Sequence, residues 1–236
     1  MSRQKKSYEM NMCEGPLVGK MLIFTIPLMF SGILQLLFNA ADTIVVGRYA
    51  GSQALAAVGS TTSLINLLVN MFMGLSVGAN ILISRYYGAK KEADISETVH
   101  TSITVAVLAG IVLAVLGNIF AKPLLVLMGS PEDVLDLAAI YVKIYFMGMP
   151  VILVYNYGAA ILRAIGDTKR PLYYLTTAGI VNVILNLIFV IGCDMSVAGV
   201  ALATVLSQCV SVALLLRCMC NMEGSCKLEM KKLGIH

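Results

Sequence analysis

The chain has 236 residues, of which 58% are hydrophobic and only 13% charged, with a mean hydropathy of +0.86. Soluble domains carry about 25% charged residues, so a water-soluble globule is excluded and lipid is the natural solvent. The net charge of +4 lies in separated short clusters, with no basic helix interleaved with aromatics, which argues against a nucleic-acid partner.

Residues 1–20 are polar and open with Arg3, Lys5 and Lys6. A signal peptide would place its apolar stretch sooner and end at a small-residue cleavage site. This stretch is therefore read as a retained cytoplasmic lead-in. Six apolar runs follow, near 21–46, 54–83, 98–121, 137–162, 172–191 and 197–216. Each is long enough for the roughly 20 helical residues that cross a bilayer. The last two are separated only by Gly192-Cys193-Asp194-Met195, a break that predicts a tight hairpin. The expected fold is an all-α membrane bundle: a six-helix lobe over 21–216 and a basic tail over 217–236.

Lys and Arg positions predict the orientation. Fourteen fall on one side: the lead-in group with Lys20, then Arg85, Lys90 and Lys91, then Arg163, Lys169 and Arg170, then Arg217, Lys227, Lys231 and Lys232. Arg48, Lys122 and Lys143 fall on the other. The split alternates with every span, so both termini are expected in the cytoplasm of a multi-pass cell-membrane protein. Thiol labelling tests this. Cys13 and Cys226 should react from the inside and Cys193 from the outside, and labelling of Cys13 from outside would overturn it.

Pro27 and Pro150 sit inside spans one and four. Each removes a backbone hydrogen bond and predicts a kink. Gly74 and Gly78 form a GxxxG step in span two, which allows close approach of another helix.

Polar residues recur at helical spacing. Span one carries Ser31, Gln35, Asn39 and Asp42, at steps of four, four and three, on one face. Span two carries Ser63, Asn66 and Asn70; span five Asn182 and Asn186; span six Thr204, Gln208 and Ser211. Such stripes are costly against lipid and should face the bundle interior or a wet cavity. The alternative is interhelical glue, worth about 0.6–2 kcal/mol per bond, which suits the span-two stripe best. Asp42 differs, as the only acidic residue between Glu14 and Glu92. An ionised Asp at a helix centre costs about 2.5–3.5 kcal/mol on insertion scales, less near the end where Asp42 lies. Its phase with three polar residues marks it as an ion- or proton-carrying candidate. Amide and hydroxyl oxygens of Asn182, Asn186 and Thr204 would suit a hard cation, if the fold joins spans one, five and six.

Other chemistry lacks its residues. No GxxxxGK[ST] loop is present, and with His100 and His236 the only histidines, no nucleophilic triad can be assembled within the spans. The chain is read as no enzyme and as needing no cofactor. Gly166-Asp167 shares the Gly-Asp pair of intramembrane aspartyl proteases, but it sits in a basic loop after Ala164-Ile165. Cys218, Cys220 and Cys226 fit no standard zinc spacing and are read as reduced thiols.

Four stretches carry a resemblance: "PLMFSGILQLLFNAADTIVVGRYAG" with "ALAAVG" after it, "GLSVGANILISRYYGAKK", "ILRAIGDTKRPLYY" and "VNVILNLIFVIG". Across essentially its whole length the chain resembles the amino-terminal half of the MATE (multidrug and toxic compound extrusion) transporters, in their bacterial form. The resemblance implies one six-helix lobe of a twelve-helix fold. It implies export of drugs or organic cations in exchange for H⁺ or Na⁺. It places the coupling ion at Asp42, Asn182, Asn186 and Thr204, with Gln35 lining the same cavity. From the stripes, Asn39, Asn66, Asn70 and Gln208 are expected to line it too. Many members carry a second carboxylate in span five where this chain has Asn186, which weakens the case for Na⁺. The implied partners are the bilayer, the exported compound, and a second lobe or a second copy of the chain. Two alternatives stand beside this reading. A lipid-linked oligosaccharide flippase of the same superfamily would favour basic residues deep in the spans, and none is there. A non-transporting membrane subunit or inactive fragment would use Asp42 for stability alone.

Overall fold

The computed structural model describes residues 17–222, 224–229 and 234. Most of the lead-in, with Cys13, and Lys231 and Lys232 of the tail lie outside the described residues. Among the described residues seven α-helices follow one another: α1 Leu17–Val45, α2 Ser52–Gly88, α3 Glu92–Leu127, α4 Leu135–Met147, α5 Met149–Ala164, α6 Lys169–Asn186 and α7 Ser196–Asn221. Two π-helical segments extend α1 and α6, over Val46–Ala50 and Leu187–Gly192. Five of the resulting helices are long and apolar enough to cross a membrane, and α4 with α5 makes a sixth span bent by 49°.

The helices outrun the apolar runs that predict them. α2 has 37 residues and α3 has 36, because interfacial residues such as Ser52, Arg85 and Glu92 continue the backbone ladder past the hydrocarbon. The two prolines behave differently. Pro150 falls in the first turn of α5, where its ring would clash with the carbonyl four residues earlier, and the span breaks there at Gly148. Pro27 leaves α1 unbroken. The ladder continues on both sides of it, and the Ser31 hydroxyl donates to the Pro27 carbonyl at 2.9 Å.

Glycines hold the elbow. A Cβ on Gly110 would fall on the backbone of Pro150, and one on Gly117 would fall on the ring of Phe146. A Cβ on Gly148 would meet Val205 of α7. The GxxxG pair of α2 does none of this: among the described residues, nothing lies within 4 Å of a Cβ built on Gly74 or Gly78. The close approach expected there is made instead by α3. Spacing alone could not say which small residues meet a neighbour.

The bent α4–α5 pair lies at the centre, between α2, α3 and α7, while α1 packs chiefly on α6. Leu36 of α1 is 71% exposed and Leu67 of α2 68%, the lipid-facing surface expected where the solvent is itself apolar. Gly166-Asp167 is a helix stop followed by a helix start. Gly166 takes φ +84°, its N–H donates to the Arg163 carbonyl, and that of Asp167 donates to the Leu162 carbonyl, both at 3.0 Å. The Asp167 carboxylate then accepts from the Arg170 backbone N–H at 3.1 Å and pairs with its guanidinium at 3.3 Å. The pair thus closes α5 and leads into α6.

Candidate functional site

α1 is seated on α6 by a ring on a glycine: a Cβ on Gly179 would fall on the ring of Phe38. One turn further along α1 is Asp42, and two turns further along α6 is Asn186. The Asn186 side-chain amide donates to Asp42 Oδ1 at 2.5 Å and to Asn182 Oδ1 at 3.2 Å. Asn182 Nδ2 donates in turn to Thr204 Oγ1 at 3.3 Å, and the Thr204 hydroxyl donates to the Val200 carbonyl at 3.0 Å. The four residues read from the sequence as one set thus form one hydrogen-bonded chain from α1 through α6 to α7. Asn182 and Asn186 are buried, at 5% and 1% exposure. The remaining acceptor, Asn186 Oδ1, is buried with no hydrogen-bond partner among the described residues, a state that costs about 1–3 kcal/mol.

Beside this chain lies a cavity of about 350 Å³. Gln35, Asn39, Asn66, Asn70 and Gln208 all line it, with Asp42, Asn182 and Thr204, while Asn186 stands behind the wall. Among the described residues, Asp42 is the only charged one on that wall. Three serines of the stripes lie elsewhere, and Ser63 of α2 is exposed away from the lining. The Ser31 hydroxyl is buried against its own helix, and Ser211 of α7 donates to the Gln208 carbonyl at 2.9 Å.

Span four supplies lining that the polar pattern did not reveal. Tyr141 and Tyr145 of α4, and Tyr155 and Asn156 of α5, all face the cavity. Tyr141 and Tyr145 stack with ring centroids 6.2 Å apart. Their spacing of four was a usable signal, but tyrosines on an apolar helix read as core. The π-helical segments were also hidden. They start four residues after Asp42 and one after Asn186, and they pack on each other. Such wide turns recur at functional sites.

Fold and cavity define the class first: a polytopic α-helical membrane lobe around a polar, singly acidic cavity. The MatE family model matches residues 27–188, and the chain belongs to that family. YoeA of Bacillus subtilis (strain 168), a probable multidrug resistance protein, is 38% identical over 191 residues, covering 79% of this chain and 41% of YoeA. An FAD transporter of Shewanella oneidensis is 29% identical over 188 residues, covering 78% of this chain and 41% of its own length. A crystal structure of a MATE protein in its bent conformation superposes with a TM-score of 0.84 at 25% identity, covering 91% of this chain and 48% of that one. The chain spans about half the length of these relatives. They are transport proteins, and the long apolar helices make this chain a multi-pass membrane protein.

Proposed function

We propose that the chain is a drug-binding lobe of a secondary transporter, which exports organic cations and related drugs by antiport with H⁺. The observation that carries this reading is Asp42, the sole charged group of the cavity wall, tied through Asn186 to Asn182 and Thr204. A carboxylate among tyrosine rings suits a flat cationic amphiphile, because the rings add cation–π attraction of about 0.5–2 kcal/mol. It equally suits a proton, so drug and proton can compete for one group. The orphaned Asn186 oxygen would add a ligand for Na⁺, but a single carboxylate holds a metal cation weakly, so H⁺ is the favoured coupling ion. One charge crossing the membrane contributes about 2.3 kcal/mol per 100 mV, enough for a modest drug gradient.

We further assign the basic end of the bundle, which holds Arg85, Lys90, Lys91, Arg163, Lys169 and Arg170, to the cytoplasm. A second lobe, from a longer chain or a second copy, completes the path, since transporters of this kind move one repeat against another. Phosphate-bearing cargo, a dinucleotide or a lipid-linked sugar, is disfavoured because among the described residues no Lys or Arg lines the cavity.

The test is ethidium efflux from pump-deficient bacteria expressing the protein. Efflux should stop when an uncoupler collapses the proton gradient and continue when Na⁺ is withdrawn. Persistence without a proton gradient would remove H⁺ antiport from the reading.

A further inference from the structure

His100 takes no part in the cavity. It lies on α3 near the basic end, only 2% exposed, and both ring nitrogens are engaged. Nδ1 lies 2.6 Å from the Ser96 carbonyl, and Nε2 lies 3.0 Å from the backbone N of Glu229, in the segment after α7. A carbonyl can only accept and a backbone N–H can only donate. The ring is therefore neutral, with its proton on Nδ1 and its lone pair on Nε2.

The segment that it holds is docked, not draped. The Leu228 N–H donates to the Met219 carbonyl at 3.1 Å, and the Lys227 N–H donates to the Gly224 carbonyl at 3.1 Å. Cys226 and Leu228 are 6% and 2% exposed, in an apolar cluster with Val99 and Ile103 of α3 and Ile161 of α5. From this geometry we propose that His100 is a proton-operated clasp: neutral, it seats residues 226–229 against α3, and protonated, it lets them go.

The chemistry has one direction. A proton on Nε2 replaces the acceptor by a donor aimed at the Glu229 N–H, and places a charge at a buried site without a new partner. Charged groups of both signs belong to the elements that meet in this cluster. They are Asp94 and Glu97 on α3, Glu229 and Lys227 on the segment, Arg85 of α2, Arg163 of α5 and Arg217 of α7; Asp94 is itself paired with Lys91 at 3.2 Å, and Asp167 with Arg170 at 3.3 Å. Histidine is the residue whose charge ordinarily changes between pH 5 and 8, so the clasp would respond to the pH on the basic side of the membrane.

The experiment uses the protein in lipid nanodiscs with Cys226 as its single cysteine. Maleimide reaction is followed at about pH 8 and about pH 5.5, the two sides of ordinary histidine titration. Each rate is divided by that of the denatured chain at the same pH, which cancels the thiol's own ionisation. A version with Cys193 alone, exposed at the other end, reports whether the bundle stays intact. The normalised Cys226 rate should rise about tenfold or more at the lower pH, as the loss of one buried hydrogen bond predicts, while Cys193 stays constant. In His100→Ala, Cys226 should react fast at both values. A wild-type Cys226 rate that does not change with pH, or a His100→Ala rate as slow as wild type, would overturn the clasp.

Discussion

Asp42→Asn is expected to reduce ethidium efflux to the level of cells lacking the protein, at matched membrane abundance. The substitution is close to isosteric, and the new side-chain oxygen can still accept from Asn186 Nδ2, so the tie between α1 and α6 survives. What disappears is the only charge on the cavity wall. Hydrogen bonds to charged groups contribute about 1.5–3 kcal/mol, so ethidium binding to the purified protein should weaken about tenfold or more. Thermal stability should move by less than ~1 kcal/mol, as for a surface-like exchange that creates no cavity. Binding and stability are read separately because the outcomes part there. Lost binding with retained stability assigns Asp42 to cargo and coupling. Retained binding and efflux would make Asp42 a structural tie and move cargo binding and coupling to another group.

The second large effect is a packing effect. Gly110→Val should destabilise the lobe by ~3 kcal/mol or more, at the upper end of overpacking. The added atoms would meet the backbone of Pro150, which has no rotamer to yield. Gly74→Ala is the control. Nothing lies near its added methyl, and alanine is favoured over glycine in a helix by up to about 1 kcal/mol. Melting of the two variants in the same detergent checks the pair. A Gly74→Ala variant as unstable as Gly110→Val would mean that the α2 face is covered in the folded protein.

These two variants also mark how far the sequence could be read. The spans were legible because lipid imposes one length and one composition on a crossing helix. The set Asp42, Asn182, Asn186 and Thr204 was legible because polar groups in phase on apolar helices have few places to go. The family resemblance supplied the pairing of helices that periodicity leaves open. Span four was legible only in outline. Its proline announced a distortion, yet not that Gly148 would take the break. Tyr141 and Tyr145 offered only their spacing of four, which does not separate cavity from core, because a tyrosine with one polar tip suits a core as well as a wall. Gly74 and Gly78 matched a packing motif, whereas the glycines in contact, Gly110 and Gly117, are seven apart. Which glycine meets a neighbour depends on a crossing point that no single helix contains.

The elbow at Gly148 has a consequence in time. It separates two apolar clusters, one around Phe146, Leu125 and Val200, the other around Leu153, Ile161 and Leu215, with Leu113 bordering both. Interiors divided in this way open as separate cooperative units. Backbone amides of the two clusters should therefore exchange with solvent deuterium at two characteristic rates. The unit that includes α4 and the π-helical ends of α1 and α6 carries Tyr141, Tyr145, Ile65 and Ile152 of the cavity wall. Its lifetime, not that of the whole lobe, would then set how often the site is remade.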